Sequence, residues 1–442
     1  MSSQLNLFKR RAFTSMFFTQ VLGAFNDNIF KQALILLLTY SAASQLGLPV
    51  GLLTNLAALL FILPFFLFSA LAGQIADKYE KSQLTRQIKL LEIIIMALAA
   101  VGFIYEIYSI LFLALFLMGV QSTFFGPIKY AYLPEVMPKN DLVAANGLFQ
   151  TSTSLAILAG MMLAGVLSQL FFAEYWLIAV TLLVAVLGYI AARFVVKTPI
   201  HDANISINFN IFSTSWQIVK HLHSLPLLFF IIMSNSWYWF FGATFLTQTP
   251  EISKNLLHGD ETVVILLLTL FSVGIATGST LCKILTKNRV GFGLLPFGIA
   301  GLSVFATALY WTLTHLSLPL NTQPYDIAQL LAFGDVWWVF VWLFMLGFAG
   351  GIYIVPLYTC MQAYSPTSHR SRIVGANNIF NALFMVISAI FAIAVLAVLK
   401  LGLPMLFLMT GILNLLIGIY LYRKLRKLQN SMPINDDPIM PV

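Results

Sequence analysis

Twelve apolar runs, each long enough to cross the hydrocarbon core of a bilayer as a helix, divide this 442-residue chain. They lie roughly at 12–40, 51–72, 86–106, 109–128, 142–170, 174–196, 225–249, 261–285, 290–314, 336–360, 372–399 and 403–422. In lipid no water satisfies the backbone, so runs of this length must close their own hydrogen bonds as helices. Composition agrees: 60% of residues are hydrophobic, 9% are charged and the mean hydropathy is +0.89. A soluble domain carries about 25% charged residues, so this chain could not cover a surface in water. The first run is much longer than the apolar core of a signal peptide and is expected to stay in the protein. The expected class is therefore an all-α membrane protein of twelve transmembrane helices.

The formal charge of +8 does not indicate a nucleic-acid partner, because its distribution follows the membrane. With the N-terminus placed in the cytoplasm, 21 of the 24 Lys and Arg fall at cytoplasmic ends and loops. Only Lys254 and Lys400 fall outside, and Lys31 falls inside a helix. That asymmetry predicts cytoplasmic N- and C-termini. Trp176, Trp311, Trp337, Trp338, Tyr105 and Tyr108 sit at predicted outer helix ends, as an interfacial aromatic belt requires. Cys282 and Cys360 fall at predicted cytoplasmic helix ends, where no disulfide is expected. Neither a cofactor nor a metal site is expected.

The chain reads as an N-terminal six-helix bundle over 1–196, a cytoplasmic linker over 197–224, a C-terminal six-helix bundle over 225–425 and a disordered tail over 426–442. The halves echo one another. Phe-Gly-Pro-Ile-Lys-Tyr at 125–130 precedes Ala-Ala-Asn-Gly-Leu-Phe at 144–149, and Ile-Val-Pro-Leu-Tyr at 354–358 precedes Gly-Ala-Asn-Asn-Ile-Phe at 375–380. Pro127 and Pro356 are 229 residues apart, Asn146 and Asn377 are 231 apart, and Gly278–Lys283 stands where Gly73–Lys78 would repeat. Two six-helix repeats about an axis along the membrane normal form a transporter plan that places a substrate site between the halves. In the linker, Phe209, Phe212, Trp216 and Val219 recur at helical spacing, which predicts an amphipathic helix at the cytoplasmic interface.

A charge at the centre of a membrane helix costs roughly 2.5–3.5 kcal/mol on insertion scales and is normally paired and functional. The first helix carries two, Asp27 and Lys31, four residues apart on one face, with Gln20 two turns back and Asn28 adjacent. The pair could simply neutralise itself along the helix. That leaves unexplained why either charge was placed there, so this face is expected to line a central cavity. Glu92 reads as a weaker candidate, bracing the cytoplasmic gate with Lys89 and Glu135. Asn146, Gln150, Asn377, Asn378 and Asn381 are expected to hydrogen-bond between helices.

The charged island Gly-Gln-Ile-Ala-Asp-Lys-Tyr-Glu-Lys-Ser-Gln-Leu-Thr-Arg at 73–86 resembles the loop between helices 2 and 3 of the major facilitator superfamily. The resemblance implies two pseudo-symmetric six-helix bundles, with Asp77 packed against the start of helix 11. It also implies a cytoplasmic gate latched through Gly73, Asp77, Lys78, Lys81 and Arg86, with Glu135 beside them. Leu22-Gly-Ala-Phe-Asn-Asp-Asn-Ile-Phe-Lys31, Phe124–Tyr130, Ala144–Phe149 and Ser236–Pro250 together resemble the bacterial lysophospholipid transporter family. They are most similar to the module fused to a 2-acylglycerophosphoethanolamine acyltransferase and an acyl carrier protein synthetase. This implies alternating-access movement of lysophosphatidylethanolamine-like lipids across the bacterial inner membrane to the cytoplasmic leaflet, for re-acylation by such an enzyme. The family's substrate-path charges match Asp27 and Lys129. Helix 7 lacks the arginine that some members carry there.

The residues themselves suit such an amphiphile. Asp27 suits an ammonium, and Lys31 or Lys129 suits a phosphate as a point charge. Gln20 and Asn28 add polar wall, and Trp237 and Trp239 lie mid-helix where they could flank headgroup or chain. The alternative is a proton-coupled exporter or importer of a drug, siderophore or other small amphiphile. Catalysis is not expected: none of the six His has an Asp five positions on, the spacing that the acyltransferases need. A monomer surrounded by membrane lipid is expected.

Overall fold

The computed structural model describes residues 2–39, 50–200, 202–287, 289–319 and 323–431. Residues 426–430, expected to begin a disordered tail, instead continue the last helix, because the apolar spacing runs on through Leu421 and Leu425, and 432–442 lie outside the described residues. Twelve long helices follow one another: α1 Arg11–Leu37, α2 Val50–Lys78, α3 Lys81–Ile104, α4 Tyr108–Val136, α5 Leu142–Leu167 and α6 Ala173–Arg193, then α7 Pro226–Thr247, α8 Glu261–Thr286, α9 Leu295–His315, α10 Val336–Tyr364, α11 Arg370–Ile393 and α12 Leu403–Asn430. Among the described residues there is no strand; an isolated bridge joins Gly259 and Tyr325. Among the described residues, eleven of the helices are long and apolar enough to cross a membrane. The remaining one, α1, has the length, at 27 residues. It concentrates Gln20, Asn26, Asp27, Asn28, Lys31 and Gln32 within four turns, which lowers its apolarity. The chain is a multi-pass helical membrane protein.

Prolines interrupt several of these helices: Pro64 in α2, Pro127 and Pro134 in α4, and Pro356 in α10. Membrane helices tolerate them because neighbouring groups satisfy the freed carbonyls. Helix starts outside the apolar runs are capped by side chains. Glu80 accepts the N–H groups of Ser82 and Gln83 at α3, and Asp260 accepts those of Thr262 and Val263 at α8.

The helices gather into two compact units, Met1–Lys139 with Leu155–Ser224 and Tyr364–Ala382, and Asn140–Ser154 with Leu225–Ala363 and Leu383–Val442. In the first unit α2 and α3 pack on α4, and α6 packs on α1 and α3. Ile29, Phe30, Leu34, Leu53, Met96, Leu111 and Met118 form its apolar core. In the second, α12 packs on α7 and α9. Here α8 and α10 touch backbone to backbone. A Cβ on Gly274 or Gly278 would run into the carbonyls of Phe344 or Phe348, and one on Gly347 into that of Phe271. Asn146 and Gln362 in this unit exchange amide hydrogen bonds at 2.6 and 3.1 Å, an interhelical pair of the kind the sequence suggests for Asn146.

The segment after α6 is strapped to the α2–α3 turn. Thr198 N–H donates to Glu80, Lys78 Nζ donates to the Ile205 carbonyl at 2.8 Å, and Asn208 N–H donates to Gln74 Oε1 at 3.0 Å. A 13-residue helix follows, Ile211–His223, capped by Asn210. It buries Thr214, Ile218 and Leu222 and leaves Phe212 and Trp216 exposed on the opposite face.

Candidate functional site

The polar residues of α1, α3 and α4 meet in the first unit. Glu92 on α3 is fully buried and carries three donors. Lys89 Nζ lies 2.6 Å from Oε2, Gln121 Nε2 lies 3.0 Å from Oε2 and Asn26 Nδ2 lies 2.9 Å from Oε1. Lys89 is itself fully buried, its ammonium over the Phe125 ring at 5.1 Å from the centroid. A buried ion pair of this kind holds only when its remaining lone pairs are hydrogen-bonded. Gly23 of α1 makes the space, since a Cβ there would strike Lys89 Nζ.

Gln121 connects this network to Asp27. Its neighbour Ser122 places Oγ 2.5 Å from Asp27 Oδ2 and 3.2 Å from Gln121 Oε1. The other carboxylate oxygen of Asp27, Oδ1, is buried and accepts no hydrogen bond among the described residues. Besides Lys89, which pairs with Glu92, two amines lie within electrostatic reach of Asp27, Lys31 and Lys129. Neither forms an ion pair with it among the described residues. Lys31 Nζ stands over the Phe61 ring at 5.4 Å and Lys129 Nζ over the Tyr130 ring at 5.0 Å. The intrahelical neutralisation that the four-residue spacing allows is therefore not formed: α1 turns Lys31 toward α2, whereas Asp27 is taken by α4.

The other predicted site residues are placed as follows. Gln20 is buried on α1. Asn28 donates to the Ala24 carbonyl at 2.7 Å, and its buried Oδ1 has no partner among the described residues. Gly160 of α5 presses against α1 here, a Cβ on it falling 3.2 Å from that of Asn28. In the second unit Trp237 is buried against Phe240 (ring centroids 4.7 Å apart) and Leu421. Its Nε1–H donates to Asn414 Oδ1 at 3.0 Å, and Asn414 in turn donates to the Ile299 carbonyl and Ser303. That indole is occupied by the α7–α12 packing. Trp239 is half-buried, edge-on to Tyr238 at 6.1 Å.

A second charged cluster lies at the α2–α3 turn of the same unit. Asp77 accepts the backbone N–H groups of Ser371 (2.9 Å) and Arg372 (3.2 Å), the first turn of α11, and the Arg372 Nε–H at 3.0 Å. A carboxylate at a helix N-terminus satisfies donors that the helix leaves unpaired. Gly73 allows the approach: a Cβ would lie 2.8 Å from Arg372 Cα and 2.9 Å from the Ser371 carbonyl oxygen. Arg372 Nη2 reaches on to Asp202 Oδ2 at 2.7 Å. Lys81 pairs with Glu135 at 2.7 Å, both almost fully buried. Lys78 holds the strap after α6, and the buried Nε of Arg86 has no hydrogen-bond partner among the described residues. Partial burial opposes the charge on Glu80, but hydrogen bonds from Ser82, Thr198 and Gln83 outweigh it and hold its carboxyl below the ordinary range.

The sequence reading grouped Glu92 with Glu135 as a brace. The structure separates them: Glu135 joins Lys81, whereas Glu92 joins Asn26 and Gln121 beside Asp27. Ser122, Gln121, Asn26, Ser371, Arg372 and Asp202 were not anticipated as site residues. Their only signal in the sequence is a polar residue in or beside an apolar run, which does not say which helix it faces.

Known proteins resemble the chain at two levels. Among curated sequences it is 25% identical over 383 residues to the lysophospholipid transporter LplT of Cronobacter sakazakii, covering 83% of each chain. It is 26% identical over 362 residues to LplT of Photorhabdus laumondii subsp. laumondii, covering 80% of each. Among solved structures it is similar to the human organic anion transporter MFSD10 (TETRAN), with a TM-score of 0.73 and 14% identity over 93% of this chain and 99% of that one. It is also similar to FucP, a Major Facilitator Superfamily transporter in the outward conformation, with a TM-score of 0.66 and 13% identity over 94% of this chain and 99% of that one. Likeness at those identities speaks to fold alone. The family model described as Major Facilitator Superfamily matches residues 16–323. By that match, and by its twelve long helices, the chain belongs to the Major Facilitator Superfamily.

Proposed function

We propose that this transporter moves lysophospholipids, of which lysophosphatidylethanolamine is the type, across the bacterial inner membrane to the cytoplasmic leaflet. A lysolipid acyltransferase with its acyl carrier protein synthetase would consume the delivered lipid. One observation carries the reading: Asp27 keeps an unclaimed buried oxygen while Lys31 and Lys129 stand nearby without pairing to it. Buried acceptors are normally satisfied, and one left open calls for an explanation. A zwitterionic headgroup supplies it, the ammonium going to Asp27 and the phosphate to Lys129 or Lys31. The similarity to LplT proteins supports the same substrate class. On this reading the Asp77–Arg372 contact closes the cytoplasmic end between turnovers.

The test is uptake by the purified protein in liposomes, with lysophosphatidylethanolamine set against soluble cationic drugs and siderophores. Saturable uptake of the lysolipid alone supports the reading. Transport of the soluble compounds with no lysolipid movement overturns it.

A further inference from the structure

The geometry around Ser122 points to a hydroxyl with two alternative acceptors, Asp27 and Gln121, and to Glu92 as the positioning residue that keeps the second acceptor available. A serine hydroxyl has one proton to donate. Here it faces Asp27 Oδ2 at 2.5 Å and Gln121 Oε1 at 3.2 Å. Gln121 offers its carbonyl rather than its NH2 for a definite reason. Its Nε2 lies 3.0 Å from Glu92 Oε2, and an ionised carboxylate only accepts. The amide must therefore point its NH2 at Glu92, which turns its oxygen toward Ser122. Lys89 supplies the countercharge to Glu92 at 2.6 Å, and Gly23 leaves the room that Lys89 occupies.

The arrangement solves a specific problem of binding. A ligand ammonium that draws on both oxygens of Asp27 competes with the Ser122 hydroxyl at Oδ2, and a buried hydroxyl left without an acceptor is costly. With the Gln121 oxygen in place the hydroxyl rotates and stays bonded, and no heavy atom has to move. The charged groups that surround Asp27 are Lys31 from α1, Lys89 and Glu92 from α3, and Lys129 from α4. Phe61 of α2, Gly160 of α5 and Gly188 of α6 bring no charge to the cluster.

The inference rests on the lysolipid reading, and its test separates the two. Transport in proteoliposomes is measured for wild type, for Lys89→Met combined with Glu92→Gln, for Ser122→Ala, and for all three substitutions together. Removing both charges leaves no orphaned ion, and an amide at position 92 lets Gln121 turn its NH2 toward Ser122, locking the hydroxyl on Asp27. The expected result is a KM for lysophosphatidylethanolamine raised about tenfold, with the KM for lysophosphatidylglycerol, which has no ammonium, changed less than about twofold. In the Ser122→Ala background the same charge-pair substitution should have no effect on either KM, because the hydroxyl it acts through is gone.

Equal losses for both headgroups, or a loss that persists without Ser122, would make Glu92 a merely structural residue and overturn the inference. If the charge-pair variant does not fold, Gln121→Leu removes the second acceptor directly and should give the same headgroup-selective loss. If wild type moves neither lysolipid, the lysolipid reading fails on its own. The two-acceptor hydroxyl is then read without substrate from the isotope-edited infrared carboxylate band that Asp27→Asn abolishes. The charge-pair substitution must shift that band in the wild-type background and leave it unmoved in the Ser122→Ala background, and any other pattern refutes the hydroxyl's role.

Discussion

The Nε–H of Arg372 donates to the Asp77 carboxylate at 3.0 Å across 295 positions of sequence, and two backbone N–H groups at the start of α11 converge on the same side chain. Asp77→Asn keeps the shape but removes the charge and turns one acceptor into a donor. A hydrogen bond to a charged group contributes about 1.5–3 kcal/mol, so the contact should open roughly tenfold more often or beyond. Maleimide labelling of a single cysteine placed at the start of α11 reads this as a faster rate. An unchanged rate would reduce the island at 73–86 to a topology signal.

Gly73→Ala should act in the same direction for a different reason. Its methyl would meet the backbone of Ser371 and Arg372, at 2.9 and 2.8 Å, and backbone cannot step aside as a side chain can. The labelling rate should rise as for Asp77→Asn. Combining the two substitutions should add little, since both break one contact.

Asp27→Asn should abolish lysophosphatidylethanolamine uptake while leaving expression and fold intact. Asparagine fits the same space and can still accept from Ser122. Uptake at the wild-type rate, at matched expression, would remove Asp27 from the substrate path.

The two lysines should separate. Lys129→Ala is expected to weaken every phosphate-bearing lysolipid tested, by about tenfold for loss of one charge-assisted contact. Lys31→Ala should cost less, since Lys31, one turn along α1 from Asp27, chiefly offsets that carboxylate's charge, whereas Lys129 is left for the phosphate. Indistinguishable binding profiles for lysophosphatidylethanolamine and lysophosphatidylglycerol would contradict this division.

Glu80 gives a pH-dependent prediction. A carboxyl whose value is lowered in the folded state contributes its full stability above the unfolded value, near 4.5, and loses it as pH falls through the lower folded one. The cap on α3 and the tie to Thr198 should therefore hold at neutral pH and loosen in acid. Limited proteolysis across 198–210 should accelerate below that range in wild type. Glu80→Gln should cut faster already at neutral pH, with little further change in acid.

Much of this architecture can be read from the chain because the bilayer imposes long apolar helices and makes isolated charges conspicuous. Asp27 and Lys31 stand out for that reason, whereas Lys129, just past the end of its apolar run, is marked by the family resemblance. The partners of those charges cannot be read the same way. A four-residue spacing puts Asp27 and Lys31 on one face, yet α2 claims one through Phe61 and α4 claims the other through Ser122. Glu92 and Glu135 read together as a brace of the cytoplasmic gate, and the rotation of α3 against α1 and α4 decides that they serve different clusters. Trp237 shows the same limit: its mid-helix position is visible in sequence, but the Asn414 that takes its N–H lies 177 residues away.

The glycine contacts between α8 and α10 restrict how the second unit can deform. Where Gly274, Gly278 and Gly347 bring carbonyls against α-carbons, and a Cβ on Gly351 would lie 2.5 Å from the Ile275 oxygen, there is no layer of side chains to act as a bearing. Side-chain layers let helices slip, because rotamers can re-sort as the helices slide. Two backbones meshed at several levels have no such freedom, so α8 and α10 should tilt and bend as one doubled beam. Spin labels on these two helices should keep a fixed separation through the whole cycle, and flexing within the unit falls to the helices joined by larger side chains.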